Sequence, residues 1–174
     1  GVQTCALPIW TALAAADRDV TRRLVVAALN RSHKLPVKGG WMTAPVTFEW
    51  AREALTDSTG YLVDHRDGFR TTMIMAPLRD FTYAGLRSDT GEIVSCLMPL
   101  PMPGWGATTA DFFHPLTRHI EDLVINRRAN YPVERTLLTS GMVIAGVDSL
   151  AAGEAPQATP QMDVAYRGPR ESHF

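Results

Sequence analysis

Two histidines come closest to a chemically useful spacing in this sequence, and they fall short of it. His114 and His119 lie five residues apart. On a helix that turns ~100° per residue they point about 140° away from each other. Two ligands of one metal ion would share a face, so no metal site is expected here. His114 reads as a helix-start residue beside Pro115, and His119 as a half-buried interface residue. Glu121 and Asp122 are adjacent and splay apart, so an acid–base pair would have to recruit a carboxylate from elsewhere in the chain. Cys96 falls in an apolar run with nothing near it in sequence to lower its pKa, and reads as inert core. Met73, Met75, Met98 and Met102 read as gap-filling side chains in and beside strands.

Two loops are better equipped. Residues 32–45, SHKLPVKGGWMTAP, carry His33, Lys34, Lys38 and Trp41. Loops on a rigid scaffold often hold functional groups, although a solvent-exposed linker pinned by Trp41 is the simpler account. Trp105 stands between Gly104 and Gly106 in PLPMPGWG, a run with three prolines. A large aromatic on so stiff a crossover could wall a ligand or a partner subunit. The candidate substrate-binding set is therefore Trp105, His114, Lys38 and Trp41, and no catalytic residue is assigned. The chain has no Gly-x-Gly-x-x-Gly after a strand, no Walker A loop and no Gly-x-Ser-x-Gly elbow. No cofactor-binding residue is assigned on that ground.

The elements that must position these residues are readable from periodicity. Tyr131–Gly153, YPVERTLLTSGMVIAGVDSLAAG, reads as the organising helix. Pro132 suits its first position, Glu134 its first turn and Gly153 a left-handed stop. Val133, Leu137, Ile144, Val147 and Ala151 recur as one apolar stripe for the core to cover. Ser140 and Gly141 leave room for a backbone or a ligand at mid-helix. A preceding helix, from Asp111 or His114 to Arg127, turns Leu116, Ile120, Leu123 and Val124 inward. The short link predicts that these two helices pack on each other and on one face of a sheet. Another helix is read over 19–30, and Val46–Leu55 fits a strand or a short helix. Asp67-Gly68 between Tyr61–Val63 and Phe69–Met75 is a hairpin signal, repeated around Ser88–Gly91 between Phe81–Leu86 and Ile93–Met98. Four strands so joined predict an antiparallel meander, with Met162–Tyr166 as a last short strand near an edge. The fold class is α+β: a mostly antiparallel open β-sheet with helices packed on one face.

The chain has 174 residues, 45% hydrophobic and 20% charged, with net charge −1. That is the composition of an ordinary globular domain. It supplies no field to draw the chain to nucleic acid or anionic lipid, and no run is long and apolar enough for a membrane helix. Residues 1–9, GVQTCALPI, show no periodicity that joins them to the rest of the chain, and they read as a non-native leader translated from a sequencing adapter. The expected organisation is that leader, one α+β domain over 10–166 and a flexible tail over 167–174. With Cys5 set aside only Cys96 remains, which favours a reducing, cytoplasmic setting.

Several of these runs together resemble the Gfo/Idh/MocA oxidoreductases. YPVERTLL is the most specific. DHRDGFRTTMIMAPLRDFTYAGL is similar to that family's central hairpin and following strand, and FHPLTRHIEDLVINRRANYPVERT to its paired helices. The resemblance covers Trp10 to the end and is densest over His65–Leu86 and Phe112–Tyr166. It implies the C-terminal substrate-binding and oligomerisation domain of an NAD(P)-dependent oxidoreductase acting on a sugar or related polyol. On that reading the chain is a fragment: the N-terminal Rossmann domain is missing, this part alone binds no cofactor and is inactive, and NAD(P) belongs to the intact protein. Expected partners are that missing domain, a small-molecule substrate and a second copy, giving a homo-oligomer through the sheet face. The family's Glu-Lys-Pro motif has no match here, so no catalytic position is carried over. The alternative is a non-catalytic, self-associating interaction module.

Overall fold

The computed structural model describes residues 2–8, 18–35, 45–78, 80–98 and 110–168. In chain order these form β1 (Val2–Pro8), α1 (Arg18–Leu29), α2 (Phe48–Ala54), β2 (Thr59–Asp64), β3 (Arg70–Met75), β4 (Phe81–Leu86) and β5 (Ile93–Met98). Then come α3 (Ala110–Asn126), α4 (Val133–Ala151), β6 (Gln157–Thr159) and a single 3-10 turn, Pro160–Met162. Helices and antiparallel strand pairs make the fold α+β. Among the described residues no helix is long and apolar enough to cross a membrane.

Both predicted hairpins form. β2 pairs with β3 from Thr59↔Met75 to Asp64↔Arg70, across a turn in which Gly68 takes φ +85° and the Asp67 carboxylate accepts the Phe69 N–H at 3.0 Å. β4 pairs with β5 from Phe81↔Met98 to Leu86↔Ile93, with Gly91 at φ +69°. Both glycines supply a left-handed backbone that a side chain would strain. The hairpins do not join into one meander, however. One sheet has the order β3-β2-β1-β6 and the other is β4-β5 alone. The run between β3 and β4 contains Pro77, which has no N–H to donate to a ladder. Val2–Pro8, read from sequence as a leader outside the fold, lie between β2 and β6. The last strand is Gln157–Thr159 rather than Met162–Tyr166, and it does stand at an edge.

Of the two readings of Val46–Leu55, the helix forms, over Phe48–Ala54. Thr47 caps it by accepting the Trp50 N–H on Oγ1 at 3.2 Å, as N-cap threonines do. Ala51 and Leu55 then turn into a core with Val25, Leu29 and Val46, joined by Ile74, Ala76 and Leu78. α1 also lies against β4 and β5. α4 begins at Val133, so Pro132 is its extended N-cap rather than its first helical residue. Its end is as predicted: Gly153 is left-handed, the Gly153 N–H reaches the Leu150 carbonyl and the Glu154 N–H the Ser149 carbonyl. This is the paired bonding of a Schellman stop.

The orientation of α4 overturns the sequence reading. Its inner residues are Ala145, Gly146 and Ser149, with Leu138 and Met142 beside them. The stripe expected inside faces out: Val133 is 75% exposed, Ile144 60% and Val147 56%. Small residues win the inner face because they let β1 come close and leave room for side chains from β2. The Tyr61 ring occupies the space a side chain at Gly146 would fill, and Met162 does the same at Gly141. Leu116, Ile120, Leu123 and Val124 of α3, also expected inside, are exposed. The expected packing of α3 on α4 does not form among the described residues, where α3 makes no substantial contact with α4.

Candidate functional site

Of the four residues proposed for substrate contact, Lys38, Trp41 and Trp105 lie outside the described residues. His114 lies on the exposed side of α3. The helix starts at Ala110, so Pro115 sits inside it and His114 is not at its start. His119 is half-buried, as expected. Asn130 Nδ2 donates to His119 Nδ1 at 2.8 Å and to Asp122 Oδ2 at 3.0 Å. Tyr131 meets the His119 ring edge-on with centroids 5.7 Å apart, and the Arg135 guanidinium lies 4.5 Å over the Tyr131 ring. This constellation ties the α3–α4 link to the last turns of α3. His114 takes no part in it. Among the described residues no group of three His, Cys, Asp or Glu side chains is placed to hold a metal ion.

Charge pairs elsewhere staple loops. Arg70 grips Asp64 through Nε and, at 3.0 Å, Nη2. That hydrogen bond holds the Asp64 carboxyl below the usual carboxylate range and the Arg70 guanidinium above its own. Arg87 and Asp89 do the same across the second hairpin turn. Arg66 pairs with Asp163, linking the first hairpin to the chain after β6. The Asp80 carboxylate accepts from Ser32 Oγ at 2.9 Å and from the His33 N–H at 2.7 Å. These contacts fix backbone and leave the surface between them for recognition.

Among the described residues two surfaces bear on function. The first is the outer face of β4-β5. Strand alternation places Phe81, Tyr83, Cys96, Val94 and Met98 on one side, with Phe81 opposite Met98, Tyr83 opposite Cys96 and Val94 opposite Gly85; all five are exposed. Tyr83 lies along its own strand over Gly85, its Cζ 2.9 Å from where a Cβ would stand. Cys96, read from sequence as core, is therefore a surface thiol, because the apolar run is covered by α1 on its other face only. The second surface is a groove of about 420 Å³ along α4, walled by Val133, Leu137 and Ile144, with Gln157, Gln161 and Met162 opposite and Asp148 at one end.

No family model, curated protein or solved structure matches this chain. The reading of function therefore rests on the surfaces themselves and on the sequence resemblance. The alternating apolar residues of β4 and β5 were the available signal for the hairpin face. A strand apolar on both sides asks for cover twice.

Proposed function

We propose that this chain is an assembly domain, the C-terminal substrate-side half of a Gfo/Idh/MocA-like NAD(P)-dependent oxidoreductase acting on a sugar or related polyol. The observation that carries the reading is the open apolar face of β4-β5. Phe81, Tyr83, Val94 and Met98 form one contiguous apolar patch there, of the kind that serves association. Each such side chain is already about half covered, and covering the rest is worth about 1 kcal/mol apiece. A second copy presenting the same face supplies that cover in a closed, two-fold contact. The YPVERTLL and HRDGF runs support the oxidoreductase class, in which a separate Rossmann domain holds NAD(P) and this domain contributes walls to the pocket. A non-catalytic self-associating module would use the same hairpin face, and activity separates the two.

Sedimentation velocity at micromolar concentration tests the face. The wild-type chain self-associates, and Tyr83→Glu raises the dissociation constant of that step about a hundredfold, since a buried unpaired carboxylate costs several kcal/mol. An unchanged Tyr83→Glu profile refutes the hairpin face as interface. Fusion to a Rossmann unit of the same family, followed by NAD(P)H turnover on polyol substrates, tests the class. A fusion that folds, binds NAD(P)H and turns over none of them favours the module instead.

A further inference from the structure

We propose that a second copy of this chain also seats its α3 in the groove along α4, each copy giving one helix and receiving the other. The starting point is α3. Phe113, Leu116, Ile120 and Leu123 recur at three- and four-residue steps, the seam of a helix built to lie against another helix. That seam is open in the structure, with Ile120 52% exposed. The Asn130 clasp holds His119 and Asp122 toward the link into α4. At ~100° per residue the seam is centred about 120° around the helix from those two residues. The seam of α3 thus looks away from the point where the chain's own α4 begins.

The groove fits such a helix in length, spacing and charge. It runs from Val133 to Asp148, about 22 Å at 1.5 Å per residue, against about 16 Å for the seam from Phe113 to Val124. Val133, Leu137, Ser140, Ile144 and Val147 follow the complementary four-and-three steps. Setting Phe113 of one copy beside Val133 of the other, helices parallel, puts Ile120 opposite Ser140, whose small side chain admits it. The same register brings the end of α3 at Asn126 level with Gly146, so Arg127 and Arg128, where the chain leaves the helix through a left-handed Arg127, come to the end of the groove that holds Asp148, the one charged side chain among the groove-lining residues. The exposed α3 and α4 stripes together offer roughly 800 Å² of side-chain surface per copy, about what one partner contributes to a stable dimer. An edge-strand addition at β6 is the poorer use of this site, because Pro156 and Pro160 bracket its three residues and blunt the edge.

This contact uses a different face from β4-β5, so the two are separable by experiment. With both two-fold contacts in place and their axes perpendicular, the assembly closes as a tetramer. Ile120→Glu and Ile144→Glu each alter one side of the helix contact at an exposed position, and circular dichroism confirms that the variants stay folded. Each is expected to halve the sedimenting mass, with Tyr83→Glu halving it independently. Asp148→Arg raises the dissociation constant of the helix step about tenfold, and adding Arg127→Asp with Arg128→Asp in the same chain restores it. Folded Ile120→Glu and Ile144→Glu variants with wild-type mass overturn the exchange, whatever Tyr83→Glu does. Failure of the charge swap to restore the Asp148→Arg loss overturns the parallel seating.

Discussion

Gly146→Ala tests the claim that α4 docks through its smallest residues. In an exposed helix this change stabilises by about 1 kcal/mol, because alanine gives up less backbone freedom than glycine. At position 146 the new methyl would stand 2.8 Å from Tyr61 Cδ1 and 3.0 Å from Cε1. Ordinary carbon contacts lie at about 3.5–4.0 Å, so the ring or the helix must shift by close to an ångström. Overpacking of that kind costs about 1–3 kcal/mol. The net expectation is a loss of about 1 kcal/mol, or a melting temperature lower by about 2–4 °C for a chain of this size. Ser140→Ala, on the outer face of the same helix, serves as control and should stabilise by a few tenths of a kcal/mol. In a Tyr61→Ala background the clash is gone and Gly146→Ala should turn stabilising. That sign change is a coupling of about 2 kcal/mol between the two sites. Thermal and urea unfolding of the four chains measures it. A Gly146→Ala protein that melts above wild type, with no coupling to Tyr61, would refute the close packing of α4 on the Tyr61 ring.

Two further outcomes are expected. Because Arg70 lowers the Asp64 pKa, the pair contributes stability above the unfolded carboxylate value and loses it as pH falls through the lower folded value. Both side chains are more than 40% exposed, so Asp64→Asn should cost well under ~1 kcal/mol at pH 7 and progressively less as the pH falls through the lowered folded value; a loss that does not change with pH would contradict this. Thr47→Ala removes the cap on α2 and should cost about 1 kcal/mol in urea unfolding, with Thr47→Ser near wild type.

The local devices of this fold were legible in its sequence because each rests on a residue with one conformational use. Asp67-Gly68 and Gly91 announced their turns, Gly153 its helix stop, and the periodicity of 18–29 and 133–151 their helices. Which way a helix faces was not legible. A stripe of Val133, Leu137, Ile144 and Val147 says that something apolar covers it, and nothing in the stripe says whether that cover belongs to the same chain. Ala145, Gly146 and Ser149 look like filler in a hydropathy reading. Their value lies in the distance they allow between helix and sheet, which depends on Tyr61 and Met162, one of them far away in sequence. Cys96 was misread for a related reason, since a strand with apolar residues on both faces does not say which one α1 will take. Of the candidate site, His114 proved to be an exposed helical residue. The half-buried polar group formed instead around Asn130, whose importance comes from reaching back to His119 and Asp122 across the link.

The division of labour on α4 bears on how such a chain can diverge. Its stability depends on residues too small to vary: enlarging Gly146 or Ala145 separates helix from sheet. Its larger side chains, Val133, Ile144 and Val147, carry little of that load and can be exchanged without disturbing the docked face. Drift in a lineage can therefore rewrite whom the domain associates with while leaving its architecture intact. Descendants could keep the same backbone and lose any common pattern of partners.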